Sequence, residues 1–154
     1  MSTSAASALS LEGLTISIEQ EIRVKAGLET TFAALLEQLG PYNERPDGVK
    51  MAMVLEPWPG GRWFRDLGNG NGHFWGNVQA IKRPGLLEIC GPLFLSQPVS
   101  NNLQYRLSEE NGGTLIKFHH FGFGLHMDAA RGVQDGWKFI NGQIAIRAEA
   151  SRAH

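Results

Sequence analysis

The stretch "MDAARGVQDGWKFINGQIAIRA", Met127–Ala148, decides how the rest of the chain can fold. Met127, Ala130, Val133, Trp137, Ile140, Ile144 and Ala148 recur at steps of three or four, the spacing that gathers side chains on one face of an α-helix. A helix of about 22 residues is about 33 Å long, enough to span a small β-sheet. Gly132, Gly136 and Gly142 lie inside it, and each glycine costs about 1 kcal/mol relative to alanine in a helix interior. Tertiary packing therefore has to hold this helix, with Trp137 buried between it and a sheet.

Upstream, the period changes. From Leu14 to Val24 apolar residues (Leu14, Ile16, Ile18, Ile22, Val24) alternate with polar ones (Thr15, Ser17, Glu19, Glu21, Arg23), the period-2 pattern of a strand with one wet face. Leu28, Phe32, Leu35, Leu36 and Leu39 then return at helical spacing, and Gly40 and Pro41 end the run. Between Met51 and Gly124 short β-prone runs are punctuated by "PWPGG", "GNGNG", "RPG" and "EENGG". Loops this short leave no room for crossover helices, so the strands pair antiparallel as a meander. The fold class is α+β: a curved antiparallel sheet of six or seven strands wrapped around a long C-terminal helix. The polar interval "PYNERPDGVK", residues 41–50, is a candidate lid or an extra turn of helix.

A chain of 154 residues fits one domain with one core, here residues 13–150, after a small, polar tail 1–12 expected to be disordered. The tail lacks the positive start and apolar run of a secretory signal. The formal net charge of −1 provides no broad cationic field, so neither a nucleic acid nor an anionic membrane is expected as a partner. No apolar run approaches the roughly 18 residues of a spanning helix. One cysteine, Cys90, cannot close an internal disulfide or build a multi-cysteine metal site. This fits a cytoplasmic protein, and no cofactor is expected.

Strand faces follow from the turns. "DLGNGNGHF", Asp66–Phe74, closes as a hairpin with loop Asn69–Gly72, since Asn-Gly pairs supply positive φ angles. Gly68 then faces His73, Leu67 faces Phe74, Arg65 faces Gly76 and Trp63 faces Val78, and cross-strand partners share a face. The more apolar face, with Trp63, Leu67, Phe74 and Val78, looks toward the helix and takes Arg65 with it. Arg62, Phe64, Asp66, His73, Trp75 and Asn77 are left outside. Two large aromatics there, Phe64 and Trp75, form a candidate homodimer contact, supported by Phe139 and Ile146 on the helix side away from Trp137.

The stretch "IKFHHFGFGLH", Ile116–His126, reads by the same rule. Ile116, Phe118 and His120 share the inner face, while Leu115, Lys117, His119 and Phe121 share the outer one. Adjacent strand residues diverge, so His119 and His120 cannot chelate one metal without a bulge; no metal site is expected. His126, where strand gives way to helix, reads as a surface or capping residue. No Gly-x-Ser-x-Gly elbow or cysteine–histidine arrangement is present, and "GNGNG" does not lead from a strand into a helix, so it is no phosphate loop.

The stretches "EPWPGGRWFRDLG", "GHFWGNVQAIKRPGLLEI", "GGTLIKFHHFGF" and "GVQDGWKFINGQI" resemble the SRPBCC (START-like, helix-grip) superfamily, and within it the branch related to the activator of the ninety-kilodalton heat-shock-protein ATPase. The resemblance covers roughly residues 14 to 150 and implies a helix-grip fold with a cavity between sheet and helix that often holds an apolar small molecule. His120 matches a histidine common in the family's strand before the last helix.

Trp63, Phe74, Tyr105, Phe118 and Trp137 are then expected to line that cavity, with Arg65, the Tyr105 hydroxyl and His120 as its polar groups. An inward arginine needs an anion or several acceptors. The leading functional reading is a non-enzymatic binder of an apolar small molecule with an acidic or polar end. A chaperone-linked interaction module comes second. A cyclase- or hydrolase-like enzyme using His120 and Arg65 comes third.

Overall fold

The computed structural model describes residues 11–125 and 130–152. Residues 1–10, most of the expected tail, lie outside it, as do His126 and Met127. After a 3-10 turn at Glu12–Leu14 come β1 (Thr15–Val24), α1 (Leu28–Leu39), β2 (Val54–Leu55), β3 (Arg62–Gly68), β4 (Asn71–Lys82), β5 (Leu86–Gly91), β6 (Val99–Glu110), β7 (Gly113–Gly124) and α2 (Ala130–Arg152). The seven strands form one antiparallel sheet in the order β1-β7-β6-β5-β4-β3-β2. Consecutive strands are neighbours except for β1, which the α1 excursion separates from β2 and which adds to the far edge beside β7.

The periodicities identify the buried faces. Ile16, Ile18 and Val24 of β1, and Val133, Trp137, Ile140, Ile144 and Ala148 of α2, are all buried. They meet Leu103, Tyr105, Ile116 and Phe118 of β6 and β7 in one core. Helix α1 buries Phe32, Leu35 and Leu39 and stops at Gly40, where an added Cβ would come within 2.8 Å of the Leu36 carbonyl oxygen. The Trp63 indole Nε1 donates to the Leu39 carbonyl at 2.7 Å. That bond satisfies a helix-end acceptor that would otherwise be orphaned and ties α1 to β3.

The β3–β4 hairpin departs from the expected register. Its loop has two residues, Asn69 and Gly70, both at positive φ (54° and 77°), so Gly68 pairs with Asn71 and not with His73. Trp63 accordingly pairs with Gly76, two positions from the expected Val78. A shift of two alone would keep every side chain on its expected face, because strand faces repeat every two residues. A bulge at Trp75, between the pairs Trp63–Gly76 and Phe64–Phe74, changes the outcome: one extra residue reverses the faces beyond it. Trp75 turns inward and is buried at 8 % exposure, whereas Phe74 is 45 % and Leu67 62 % exposed. The inward placement of Phe74 and Leu67 is therefore corrected, and so is the outward placement of Trp75. With Trp75 packed edge-on against Trp63, ring centroids 4.9 Å apart, Trp75 is not available to the expected homodimer contact, whereas Phe64 stays half-buried at the surface.

Candidate functional site

An apolar pocket of about 490 Å³ lies where the N-terminal half of α2 passes over β3, β4 and the connection after α1. Its aromatic walls form a continuous series of ring contacts. Trp63 meets Trp75 at 4.9 Å, Trp75 meets Phe94 at 5.7 Å, and Phe94 meets Trp137 at 6.3 Å. Phe94 reaches the pocket from the connection between β5 and β6, whose adjoining Leu93 nitrogen donates to the Trp75 carbonyl. Gly132 and Gly136 form the helix side.

The interval 41–50 forms one rim and adds no turn to the helix. Glu44 pairs with Lys50 as an isolated β-bridge, and the Arg45 nitrogen donates to the Val49 carbonyl at 2.9 Å. Two ion pairs brace this strap, Arg45 with Asp47 at 2.6 Å and Lys50 with Glu44 at 3.4 Å. Asn43, Glu44, Arg45 and Pro46 border the pocket.

Of the seven residues expected at the site, Trp63 and Trp137 line this pocket. Phe118 is buried behind Trp137, ring centroids 5.0 Å apart, and Tyr105 lies behind Phe118 at 4.8 Å. Arg65 and Phe74 border a separate depression on the β3–β4 hairpin with Phe64 and His73. Arg65 is half-buried, stands across from His73, and forms no ion pair among the described residues. The bulge lies in β4, so it replaces the expected partner Gly76 by His73, and Arg65 stands at the hairpin, away from the apolar pocket.

The two remaining polar candidates are tied into the scaffold. Trp137 Nε1 donates to His120 Nδ1 at 2.9 Å, and His120 Nε2 lies 2.8 Å from Asn101 Oδ1. An indole only donates, so Nδ1 accepts and Nε2 carries the proton toward Asn101. The Tyr105 hydroxyl donates to Asn141 Oδ1 at 2.8 Å, Asn141 Nδ2 to Gln20 Oε1 at 2.8 Å, and Gln20 Nε2 to the Gln134 carbonyl at 3.1 Å. This relay joins β6, α2 and β1. Burial pushes the Tyr105 hydroxyl well above its ordinary pKa, so it acts as a neutral donor.

Elsewhere, Cys90 is half-buried on the outer face. It donates to Gln79 Oε1 at 2.8 Å and accepts from Asn102 Nδ2 at 3.2 Å. His119 bonds Ser17 Oγ at 3.0 Å and diverges from His120. No group of three or more metal-ligating side chains occurs among the described residues, and no helix among them is long and apolar enough to cross a membrane.

Trp75, Phe94, Asn43 and the helix glycines Gly132 and Gly136 also line the pocket, and none of them is expected there from the sequence pattern. Only the glycines left a signal. Gly132 and Gly136 stand one helical turn apart, on one face of α2, and open space there explains two costly residues.

No family model and no curated protein matches the chain. Solved structures do. A protein from Chromobacterium violaceum, CV1439, superposes with a TM-score of 0.71 at 15% identity, covering 86% of this chain and 96% of that one. The Aha1 dimer from Colwellia psychrerythraea gives 0.63 at 14% identity, covering 84% and 93%. The di-domain ARO/CYC StfQ from the steffimycin biosynthetic pathway gives 0.67 at 10% identity, covering 94% of this chain and 54% of that one. At these identities the likeness is one of fold, and it agrees with strand order and helix placement: the chain has a helix-grip fold.

Proposed function

We propose that this protein binds an apolar small molecule in the pocket between α2, the β3–β4 strands and the strap at 43–46. The observation that carries the reading is the pocket's composition. Four aromatic rings, from Trp63, Trp75, Phe94 and Trp137, surround about 490 Å³ of space, within the usual range of small-molecule sites. Solvent gains little from wetting such walls, and burying a ligand's apolar surface there is worth roughly 25 cal/mol per Å² before the costs of association.

The ligand reading is narrower than the one drawn from sequence. The expectation of an acidic end rests on Arg65, which borders a different depression. Arg45, at the rim, is engaged with Asp47. A neutral ligand therefore fits better than an acid. His120 and Tyr105 serve the scaffold, which favours binding over acid–base chemistry at those two residues. The ARO/CYC StfQ shares the fold, but its activity does not transfer at 10% identity.

Three of the chain's four tryptophans line the pocket, so intrinsic fluorescence reports occupancy. Titration with a neutral apolar probe such as N-phenyl-1-naphthylamine or decanol is expected to give saturable changes that Gly132→Leu abolishes without loss of helicity. Non-saturable changes, or saturation unaffected by Gly132→Leu, would refute the reading.

A further inference from the structure

From Asn43 and the two glycines of α2 we infer that the pocket's ligand is a neutral, planar ring compound bearing one hydroxyl or carbonyl group, recognised by the Asn43 carboxamide. The inference rests on the pocket reading above and deepens it.

Asn43 is 3 % exposed and borders the pocket. Its backbone is held at both ends: the nitrogen donates to the Gly40 carbonyl at 3.2 Å and the carbonyl accepts from Met51 at 2.9 Å. Its side chain makes no hydrogen bond among the described residues. Yet no fully buried side-chain nitrogen or oxygen among them lacks a partner. The little exposure Asn43 keeps is therefore at its carboxamide, in a residue whose open side is the pocket. A carboxamide offers one acceptor oxygen and two donor hydrogens, so it matches a hydroxyl or a carbonyl equally. A carboxylate would be left beside apolar rings with no free cation among the described residues of the lining, since Arg45 is paired with Asp47 and the neighbouring Lys50 with Glu44. Burying that charge is costly.

The planar shape follows from the helix. Gly132 and Gly136 occupy one face of α2. Among the described residues, a Cβ added at Gly132 would meet nothing within 4 Å, and one at Gly136 would meet only Pro46 Cγ, at 3.8 Å. Bare helix backbone on this side and the edge-to-face aromatic wall on the other leave a slot suited to a flat ring. A residue held rigid at its backbone recognises such a ligand without first being ordered, which lowers the cost of binding.

Calorimetric titration of the full chain with 2-naphthol, naphthalene and 2-naphthoate tests this. Wild type is expected to bind 2-naphthol most tightly. Asn43→Leu should lower that affinity about tenfold, the cost of an unmade buried hydrogen bond, and leave naphthalene unchanged. Gly132→Leu should abolish both. Should Asn43→Leu fail to fold, Asn43→Asp serves: it keeps 2-naphthol, which donates to either residue, and rejects 2-acetonaphthone, which needs the amide hydrogens. Equal affinities for 2-naphthol in wild type and Asn43→Leu, or tightest binding of 2-naphthoate, overturns the inference with the pocket intact. No binding of any ring to wild type overturns both.

Discussion

Tyr105 illustrates what single residues do here. Its hydroxyl spans from β6 to Asn141 of α2 in a site from which water is excluded. Tyr105→Phe leaves the Asn141 oxygen without its donor and is expected to destabilise the fold by about 1–3 kcal/mol, measured by urea unfolding. Glu56 acts at the surface. Its carboxylate accepts from the Arg62 guanidinium at 2.8 and 3.0 Å and from the Arg62 backbone at 2.8 Å. These bonds hold its pKa at about 2, against an ordinary 4.5. A folded-state value below the unfolded one stabilises at pH above the unfolded value, and that contribution is lost as pH falls from about 4.5 through about 2. Melting temperatures recorded between pH 6 and pH 2 should fall less steeply for Glu56→Gln than for wild type.

Among elements, α2 combines poor local propensity with full use of its buried face. Gly142 has normal helical surroundings and open space where a Cβ would go. Gly142→Ala is therefore expected to stabilise by about 1 kcal/mol. Gly40→Ala at the end of α1 should do the opposite, because its Cβ would press on the Leu36 carbonyl; paired denaturation curves check both signs. The β3–β4 hairpin is the element where local chemistry and packing disagree. The Asn69–Gly70 turn is set by its residues, while at the bulge Trp75 joins Trp63 in the interior and the ladder loses its regularity.

At the scale of the molecule, the sheet has a firm side and a loose one. The strands β6 and β7 pair over their full twelve residues, from Val99–Gly124 to Glu110–Gly113, and β1 adds ten further pairs to β7. The β3–β4 arm is twice irregular and ends in the exposed Leu67 and Phe74. Native-state hydrogen exchange should be slowest in the centre of β6 and β7 and fastest at residues 67–72. Slow exchange at the hairpin tip would contradict this division. The pocket lies between the two regimes, walled on one side by the core that holds Trp137 and on the other by the strap and the bulged strand.

Element order, the inward faces of β1, β7 and α2, and the presence of a hairpin at Asn69–Gly70, though not its two-residue length, could be read from the chain itself, because period and turn chemistry are local properties. The inward aim of Phe118 and His120 belongs to the same class. Which face Phe74 and Trp75 occupy did not, since a one-residue bulge reverses a strand and is chosen by what the core can accommodate. The same holds for Arg65, whose surroundings hang on that register, and for Asn43, an ordinary loop amide until the strap places it against α2. Local pattern determined the scaffold; contacts between residues far apart in sequence decided where the space lies and which polar group is left to face it.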